Sequence, residues 1–228
     1  MIAAPRYDMY RLIHKALRVC MAEALAAVGR MDPEDDGERK AALAQVGEML
    51  GYCQSHLKKE DAFVHPAMEA RAPGSSGQTS GDHTSHVHWF RDLETAVVAV
   101  EQAEHETKAA AAAALYLSLA LFVGENFVHM HAEETTNNEV LWRTYSDPEL
   151  IAIEQAIVAS LSPQEKAFSL RWMLPVLTPA ERAQMLRAMR PAMPAEAFAG
   201  ILATLRPWLS DVNWWKLTAT FDAPGLAV

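Results

Sequence analysis

Two short stretches decide how this chain folds and what it can hold: His56-Leu-Lys-Lys-Glu60 and His129-Met-His-Ala-Glu133. In each, a glutamate follows a histidine at a distance of four residues. Residues four apart lie on the same face of a helix, so each stretch presents an imidazole and a carboxylate in one direction. Both motifs continue stripes of mainly apolar residues at helical spacing, which predicts that they face the core.

The sequence around the two motifs has the apolar periodicity of long helices. Gly29 is expected to end the first of these helices, and Pro66 is expected to break or kink the second. The low-complexity segment 72–81, APGSSGQTSG, is predicted to be a loop. The predicted helices cover residues 8–28, 33–63, 82–105 and 108–134. Four long helices with short connections predict an all-α, up-and-down four-helix bundle over residues 1–145.

Beyond residue 145 the sequence predicts a series of short helices. Ser162 and Thr178 each precede a proline and stand three residues before a glutamate, which is the pattern of a capping box. Prolines recur every 16 residues and are expected to stop the helices; they are Pro175, Pro191 and Pro207. We expect residues 146–228 to form a helical extension packed on the bundle, with a surface for a protein partner or a second copy of the chain.

The other two long helices also offer histidines on their apolar faces. His14 lies on the stripe of the first helix, and His86 lies on the stripe of the third. His83, one turn before His86, is a second inward candidate, whereas His88 shares its face with polar residues and is expected to be solvated. A single histidine–glutamate pair is usually a surface ion pair. The coincidence of inward histidines on all four helices favours a metal site instead.

Burying these groups without a ligand would destabilise the fold. Each unpaired buried polar group costs about 1–3 kcal/mol, and six of them would exceed a typical domain stability of about 5–15 kcal/mol. Imidazole and carboxylate ligands suit iron, manganese or zinc, and two carboxylates can bridge two ions. The predicted ligands are His14, His56, Glu60, His86, His129 and Glu133, with His83 and Glu134 as additional candidates.

At these residues the sequence resembles the hemerythrin-like (HHE cation-binding) domain, over about residues 7–142. The resemblance follows the order His, HxxxE, His, HxxxE, and the segment 56–69, HLKKEDAFVHPAME, is similar to the second helix of that family. It implies a four-helix bundle with a non-haem di-iron centre, in which Glu60 and Glu133 bridge the two irons. By the same resemblance, His14 and His56 would bind one iron, and His86 and His129 would bind the other.

The sequence departs from the oxygen-carrying members of this family in two places. The third helix has His83-x-x-His86 where those proteins have HxxxH. The last motif has Glu133 and Glu134 where they have an aspartate five residues after the histidine. This arrangement is similar to the iron- and oxygen-sensing branch of the family. One histidine fewer leaves an open coordination position, which favours sensing or redox chemistry over reversible oxygen carriage.

The composition of the chain argues against several other classes of protein. The chain has 228 residues, a net charge of −9 and two cysteines. An acidic chain is not expected to bind nucleic acid, and without an uninterrupted apolar run of about 18 residues it is not expected to span a membrane. The N-terminus has no pattern of a secretory signal, and two cysteines fit a reducing compartment. A cytoplasmic location is therefore expected.

Three functions follow from these observations. The first is a module that binds or senses oxygen, nitric oxide or iron through two iron ions. The second is a di-iron oxidoreductase acting on peroxide, oxygen or a nitrosative species, which the open coordination position would permit. The third is a metal-free helical scaffold whose partners bind the tryptophan-rich C-terminus. The sequence leaves open whether the protein is an enzyme, and zinc or manganese could replace iron.

Overall fold

A computed structural model describes residues 6–221, and these residues form helices and no β-strand. The predicted all-α class is therefore confirmed. Helix α1 contacts α2 and α5, and α4 contacts the same two helices. The four long helices thus enclose a common interior, in which the predicted ligands lie. These helices are α1 (Arg11–Arg30), α2 (Asp36–Lys59), α4 (Gly77–Gln102) and α5 (His105–Ala132).

Helix α1 ends two residues later than predicted, because Gly29 lies inside it and does not end it, and it begins later than predicted, at Arg11. A Cβ atom at Gly29 would lie 2.9 Å from a ring carbon of Tyr116 on α5. The glycine therefore permits a close approach of two helices. The next helix, α2, begins where the Asp35 side chain accepts hydrogen bonds from the backbone N–H groups of Gly37 and Glu38.

Helices α2 and α5 both end in a π-helical turn that begins at the motif glutamate. The two turns are Glu60–Val64 and Glu133–Asn137, and the short helices α3 (His65–Arg71) and α6 (Asn138–Thr144) follow them. Pro66 does not break the second helix, because it stands in the first turn of α3, where a missing N–H is tolerated. Single π-helical turns inside helices are frequent at functional sites.

The loop after α3 is shorter than the predicted segment 72–81, because α4 already begins at Gly77. The Glu69 carboxylate accepts hydrogen bonds from the backbone N–H groups of Gly74 and Ser76, at 2.6 and 2.9 Å. Gly74 has a φ of 83°, a conformation that glycine adopts most readily. A carboxylate on the preceding helix thus binds the backbone of this loop, which the composition of the segment does not show.

The chain divides into two compact units between Leu161 and Ser162, whereas the sequence placed the boundary at residues 145/146. Helix α7 (Asp147–Ser160) belongs to the first unit, since its Leu150 is buried in a cluster with Tyr10 and Met68.

The second unit has its own apolar core, which includes Leu174, Leu186 and Leu202. Its capping boxes at Ser162 and Thr178 form as predicted. Pro175 lies in the last turn of a helix, while the other two recurring prolines lie in 3₁₀ turns that follow helices. The helices are α8 (Pro163–Val176), α9 (Pro179–Met189), α10 (Ala195–Leu205) and α11 (Asp211–Phe221).

Within the described residues, one helical run is long and apolar enough to cross a membrane by length and composition, namely His105–Thr144. Its window has a mean hydropathy of 1.6 and is 28% buried. Core helices of soluble proteins meet the same criterion, so the predicted absence of a membrane span stays a prediction.

Candidate metal centre

Six side chains from the four long helices and the two π-helical turns converge in the interior of the first unit. They form two groups, and the ligand atoms within each group lie within 4.8 Å of one another. Glu60 and Glu133 belong to both groups, so these two carboxylates lie where they can bridge two ions. The first group adds His14 and His56 to them, and the second adds His83 and His129.

The Nε2 atoms of the histidines point at one another and at the two shared carboxylates. The His14 and His56 Nε2 atoms are 3.2 Å apart, and those of His83 and His129 are 3.1 Å apart. His56 Nε2 lies 3.1 Å from a Glu60 oxygen, and His129 Nε2 lies 3.3 Å from a Glu133 oxygen. The i, i+4 spacing of both motifs thus brings imidazole and carboxylate together, as the sequence analysis expected.

Three of the four histidines donate a hydrogen bond from their outer nitrogen to a carboxylate behind them. His14 Nδ1 lies 3.0 Å from Glu134, and His83 Nδ1 lies 2.7 Å from Asp61. The third is His129, whose Nδ1 lies 3.2 Å from Asp82. An ionised carboxylate can only accept, so the proton must sit on Nδ1. The Nε2 lone pair of each imidazole then faces the interior, as it does in histidines that bind metals.

The interior of the site is consequently a cluster of acceptors. All four carboxylate oxygens of Glu60 and Glu133 are buried, and no described residue donates a hydrogen bond to them with proper geometry. Lone pairs and carboxylate oxygens this close repel one another unless a cation lies between them. Imidazole nitrogen and carboxylate oxygen are ligands that suit iron, manganese and zinc. The residues therefore fit a pair of metal ions.

Protons can take the place of metal charge at this site. Burial alone would lower the pKa of His14, but hydrogen bonds and charges from the surrounding glutamates outweigh burial and raise that pKa to about 9. In the same way the pKa of His83 rises to about 10. Burial would raise the pKa of Glu60, yet His56 and His14 hold it well below its usual range. Metal binding must displace these protons.

The surrounding charges also match a pair of divalent ions. Besides Glu60 and Glu133, the three carboxylates behind the histidines contribute negative charge. One guanidinium offsets them, because Arg18 makes two contacts of 2.6 and 2.9 Å with Glu134. With neutral histidines the site has five carboxylates against one arginine, and two divalent cations would balance the excess.

The structure brings five of the six predicted ligands together and leaves His86 outside both groups. The His86 ring is buried, with its centroid 4.7 Å from that of His129. Burial lowers the pKa of His86 to about 4, so its ring is neutral. His83, the additional candidate one turn earlier, belongs to the second group instead. His88 is exposed, as expected.

Glu134, the other additional candidate, contacts the outer nitrogen of His14 and lies in neither group. Sequence reasoning missed the equivalent role of Asp61 towards His83. A signal was present, because an acidic residue directly follows the glutamate of each HxxxE motif. Each of these acids supports the histidine of a helix that has no motif carboxylate of its own.

A small cavity adjoins the ligands. It is lined in part by His56, His86 and Asn126, and its free volume of ≈ 20 Å³ is sufficient for a molecule of the size of water. His86 and Asn126 are buried polar side chains that lie in neither ligand group. The cavity thus offers a mainly apolar space with a few polar groups beside the centre for a small ligand.

Comparison with known families gives a match. The family model described as the hemerythrin HHE cation binding domain matches residues 6–139. All six side chains of the two groups lie within the matched range. No curated protein and no solved structure matches the chain.

Proposed function

Because this chain belongs to the hemerythrin HHE cation-binding domain family, we propose that it is a non-haem di-iron protein whose long helices form an up-and-down four-helix bundle around the ions. One ion would be held by His14 and His56, and the other by His83 and His129. Glu60 and Glu133 would bridge them. The observation that carries this proposal is the pair of buried carboxylates shared by both histidine groups, whose oxygens have no hydrogen-bond donor among the described residues.

The activity we propose is the binding or sensing of oxygen, nitric oxide or iron. Two histidines and two shared carboxylates leave coordination positions open on each ion, and bound iron supplies redox chemistry and affinity for small diatomic ligands. The adjoining cavity supports this proposal, because it is small and lies against the ligands. A cytoplasmic location and the absence of a nucleic-acid partner accompany the proposal as predictions.

The experiment that tests the proposal is the metal content of the full chain by elemental mass spectrometry, on freshly purified protein and after anaerobic reconstitution with iron. We expect two irons per chain. The variant Glu60→Ala is expected to retain at most one, whereas the exposed control His88→Ala is expected to retain both. One zinc, or no metal after reconstitution, would contradict the proposal. Two ions retained in Glu60→Ala would remove Glu60 as a bridge.

A second candidate function is a di-iron oxidoreductase acting on peroxide, oxygen or a nitrosative species. The cavity favours it, because the neutral imidazole of His86 and the amide of Asn126 could hold a substrate beside the ions. Turnover of hydrogen peroxide well above that of free iron would support the enzyme. A reversible spectral change with nitric oxide, without turnover, would support the sensor.

A metal-free scaffold is the remaining alternative. It requires the buried carboxylates and histidines to be a structural network that functions without a cation. In that case iron would not change the melting temperature of the wild type, and it would not change that of His56→Ala either. A rise of the wild-type melting temperature with iron, absent in His56→Ala, would exclude the scaffold.

A further inference from the structure

Helix α5 has an apolar face on its outer side. Its inner face packs into the first unit through residues such as Leu115, Leu119 and Phe122, which are fully buried. On the outer face Leu117, Leu121 and Val128 are 67%, 54% and 71% exposed. Together with the exposed small residues between them they form what we call the α5 stripe: Ala110, Ala114, Leu117, Leu121, Gly124 and Val128.

The outer faces of the other long helices are different. In α5, no charged residue occurs between positions 109 and 124. In contrast, α2 exposes Glu48 and Lys58, and α4 exposes Arg91 and Glu94. A helix that is apolar on all sides is normally covered on all sides, and contiguous exposed apolar surface marks interaction sites. The outer face of α5 therefore has the composition of a buried contact.

The spacing of the α5 stripe indicates what would cover it. Successive positions are separated by four, three, four, three and four residues. This is the alternation of the a and d positions in a coiled coil, which pack against another helix. The stripe extends over about 27 Å at 1.5 Å per residue.

The α5 stripe is also complementary to itself. Its positions are placed symmetrically about residue 119, so an antiparallel copy brings Leu117 opposite Leu121, twice, at the centre. Ala114 then faces Gly124, where a Cβ atom would meet no described atom within 4 Å. The outermost pair is Ala110 with Val128. Each pairing joins an a position with a d position, and no charge enters the contact.

We propose that the α5 stripe is the contact between two copies of this chain, packed antiparallel about a two-fold axis at the level of residue 119. Such an interface is isologous, since the same surface serves both copies. The two leucine pairs supply apolar burial at the centre, and the alanine–glycine pairs let the backbones approach closely. The proposal does not depend on the metal centre, because the inner and outer faces of α5 are distinct.

A membrane fits the α5 stripe less well. The uncharged segment of about 24 Å is shorter than the hydrocarbon core of about 30 Å, and the next turns direct Asn126 and His129 into the metal centre. A helix lying on a membrane surface carries Lys and Arg along its edges. Lys108 is the one Lys or Arg in α5, and Glu106 and Glu125 are acidic.

The size of the contact sets its expected strength. A footprint of roughly 27 by 10 Å for each helix is smaller than the ≈ 800 Å² that each partner contributes to a typical stable interface. We therefore expect a weak, reversible dimer that forms only towards high micromolar concentrations.

Sedimentation equilibrium of the full chain over the micromolar range tests the proposal. The apparent mass is expected to rise with concentration from 25.2 kDa towards twice that value. Leu117→Glu and Leu121→Glu are each expected to remain monomeric, with unchanged helix content and metal content, because both side chains are exposed. Val212→Glu is the matched control, since Val212 is 61% exposed but lies in the second unit. It is expected to dimerise like the wild type.

Several outcomes would overturn the proposal. They are a wild-type chain that stays at the mass of one copy, a dimer that persists in the double variant Leu117→Glu/Leu121→Glu, and a dimer lost in Val212→Glu alone. Binding of the monomeric wild type to phospholipid vesicles, lost in Leu117→Glu, would assign the surface to a membrane instead.

A second measurement tests the orientation without depending on glutamate variants. Ala110→Cys and Val128→Cys chains are mixed and treated with a short bismaleimide; the native cysteines, Cys20 and Cys53, are buried. In the antiparallel arrangement positions 110 and 128 lie opposite each other, whereas the two copies of either position lie about 27 Å apart, beyond the reach of the reagent. The antiparallel arrangement predicts crosslinks between the two different variants. Crosslinking within each variant alone, but not between them, would indicate parallel helices and would contradict the two-fold pairing.

Discussion

One turn of helix α4 decides which imidazole faces the two shared carboxylates. His83 Nε2 lies 3.5 Å from Glu60 and 3.8 Å from Glu133, whereas His86 lies in neither ligand group. We therefore expect His83→Ala to retain at most one ion per chain and His86→Ala to retain both. Elemental analysis of the two variants in parallel checks this. Loss of an ion in His86→Ala would mean that the ring of His86 turns towards the centre when metal binds.

The acids behind the histidines are expected to tune metal affinity. Asp61 holds His83 and Glu134 holds His14 through the outer nitrogen. Removing such a partner commonly weakens metal affinity by about 10–100-fold. Asp61→Asn and Glu134→Gln should each show this loss for one ion in competition with a chelator. The exposed Glu139→Gln is the control, and equal affinity in all three variants would exclude a role for these contacts.

The metal-free protein should lose stability in alkaline solution. The folded-state pKa values of His14 and His83 are about 9 and about 10, above the ordinary value of 6.5. Stability from these protonated rings is complete below about pH 6.5 and is lost as the pH rises through the folded-state values. The melting temperature of metal-free protein should therefore fall between pH 7 and pH 10, and metal-loaded protein should not show this fall. A parallel fall in both forms would contradict this account.

At the scale of elements, the sequence predicted the features that depend on nearby residues better than the features that depend on tertiary contacts. The capping boxes of α8 and α9 involve residues three apart, and Ser162 and Thr178 form them as predicted. The π-helical turns that begin at Glu60 and Glu133 were not predicted, because apolar spacing and capping signals do not distinguish a π-helical turn from an α-helical one. Choosing His83 over His86 required knowing how α4 is placed against its neighbouring helices. The two histidines lie about one turn apart on the same apolar face, so apolar spacing alone does not distinguish them.

The end of α8 depends on a single buried arginine. The guanidinium of Arg182 on α9 donates hydrogen bonds of 2.7–3.0 Å to the carbonyl oxygens of Leu174, Pro175 and Leu177. A lysine cannot reproduce this fork of donors. Hydrogen bonds from charged groups contribute about 1.5–3 kcal/mol each, so we expect Arg182→Lys to destabilise the second unit by about 2 kcal/mol or more. Chemical denaturation measures the loss, and the exposed Arg190→Lys is the control. Equal stability of the two variants would contradict the capping role.

At the scale of the whole molecule, the two units have separate cores, and the six proposed metal ligands all lie in the first. A ligand that binds only the folded form stabilises it by about 2.7 kcal/mol at a free concentration of 100 times Kd. Calorimetry of the full chain should therefore show two transitions, of which iron raises only one. Arg182→Lys should lower the temperature of the other transition, because the hydrogen bonds of Arg182 lie within α8, α9 and the connection between them.

A single transition that is shifted both by iron and by Arg182→Lys would show that the two units unfold together. In that case metal binding in the first unit would also stabilise the second, and the chain could transmit its metal state to any partner that contacts the C-terminal helices.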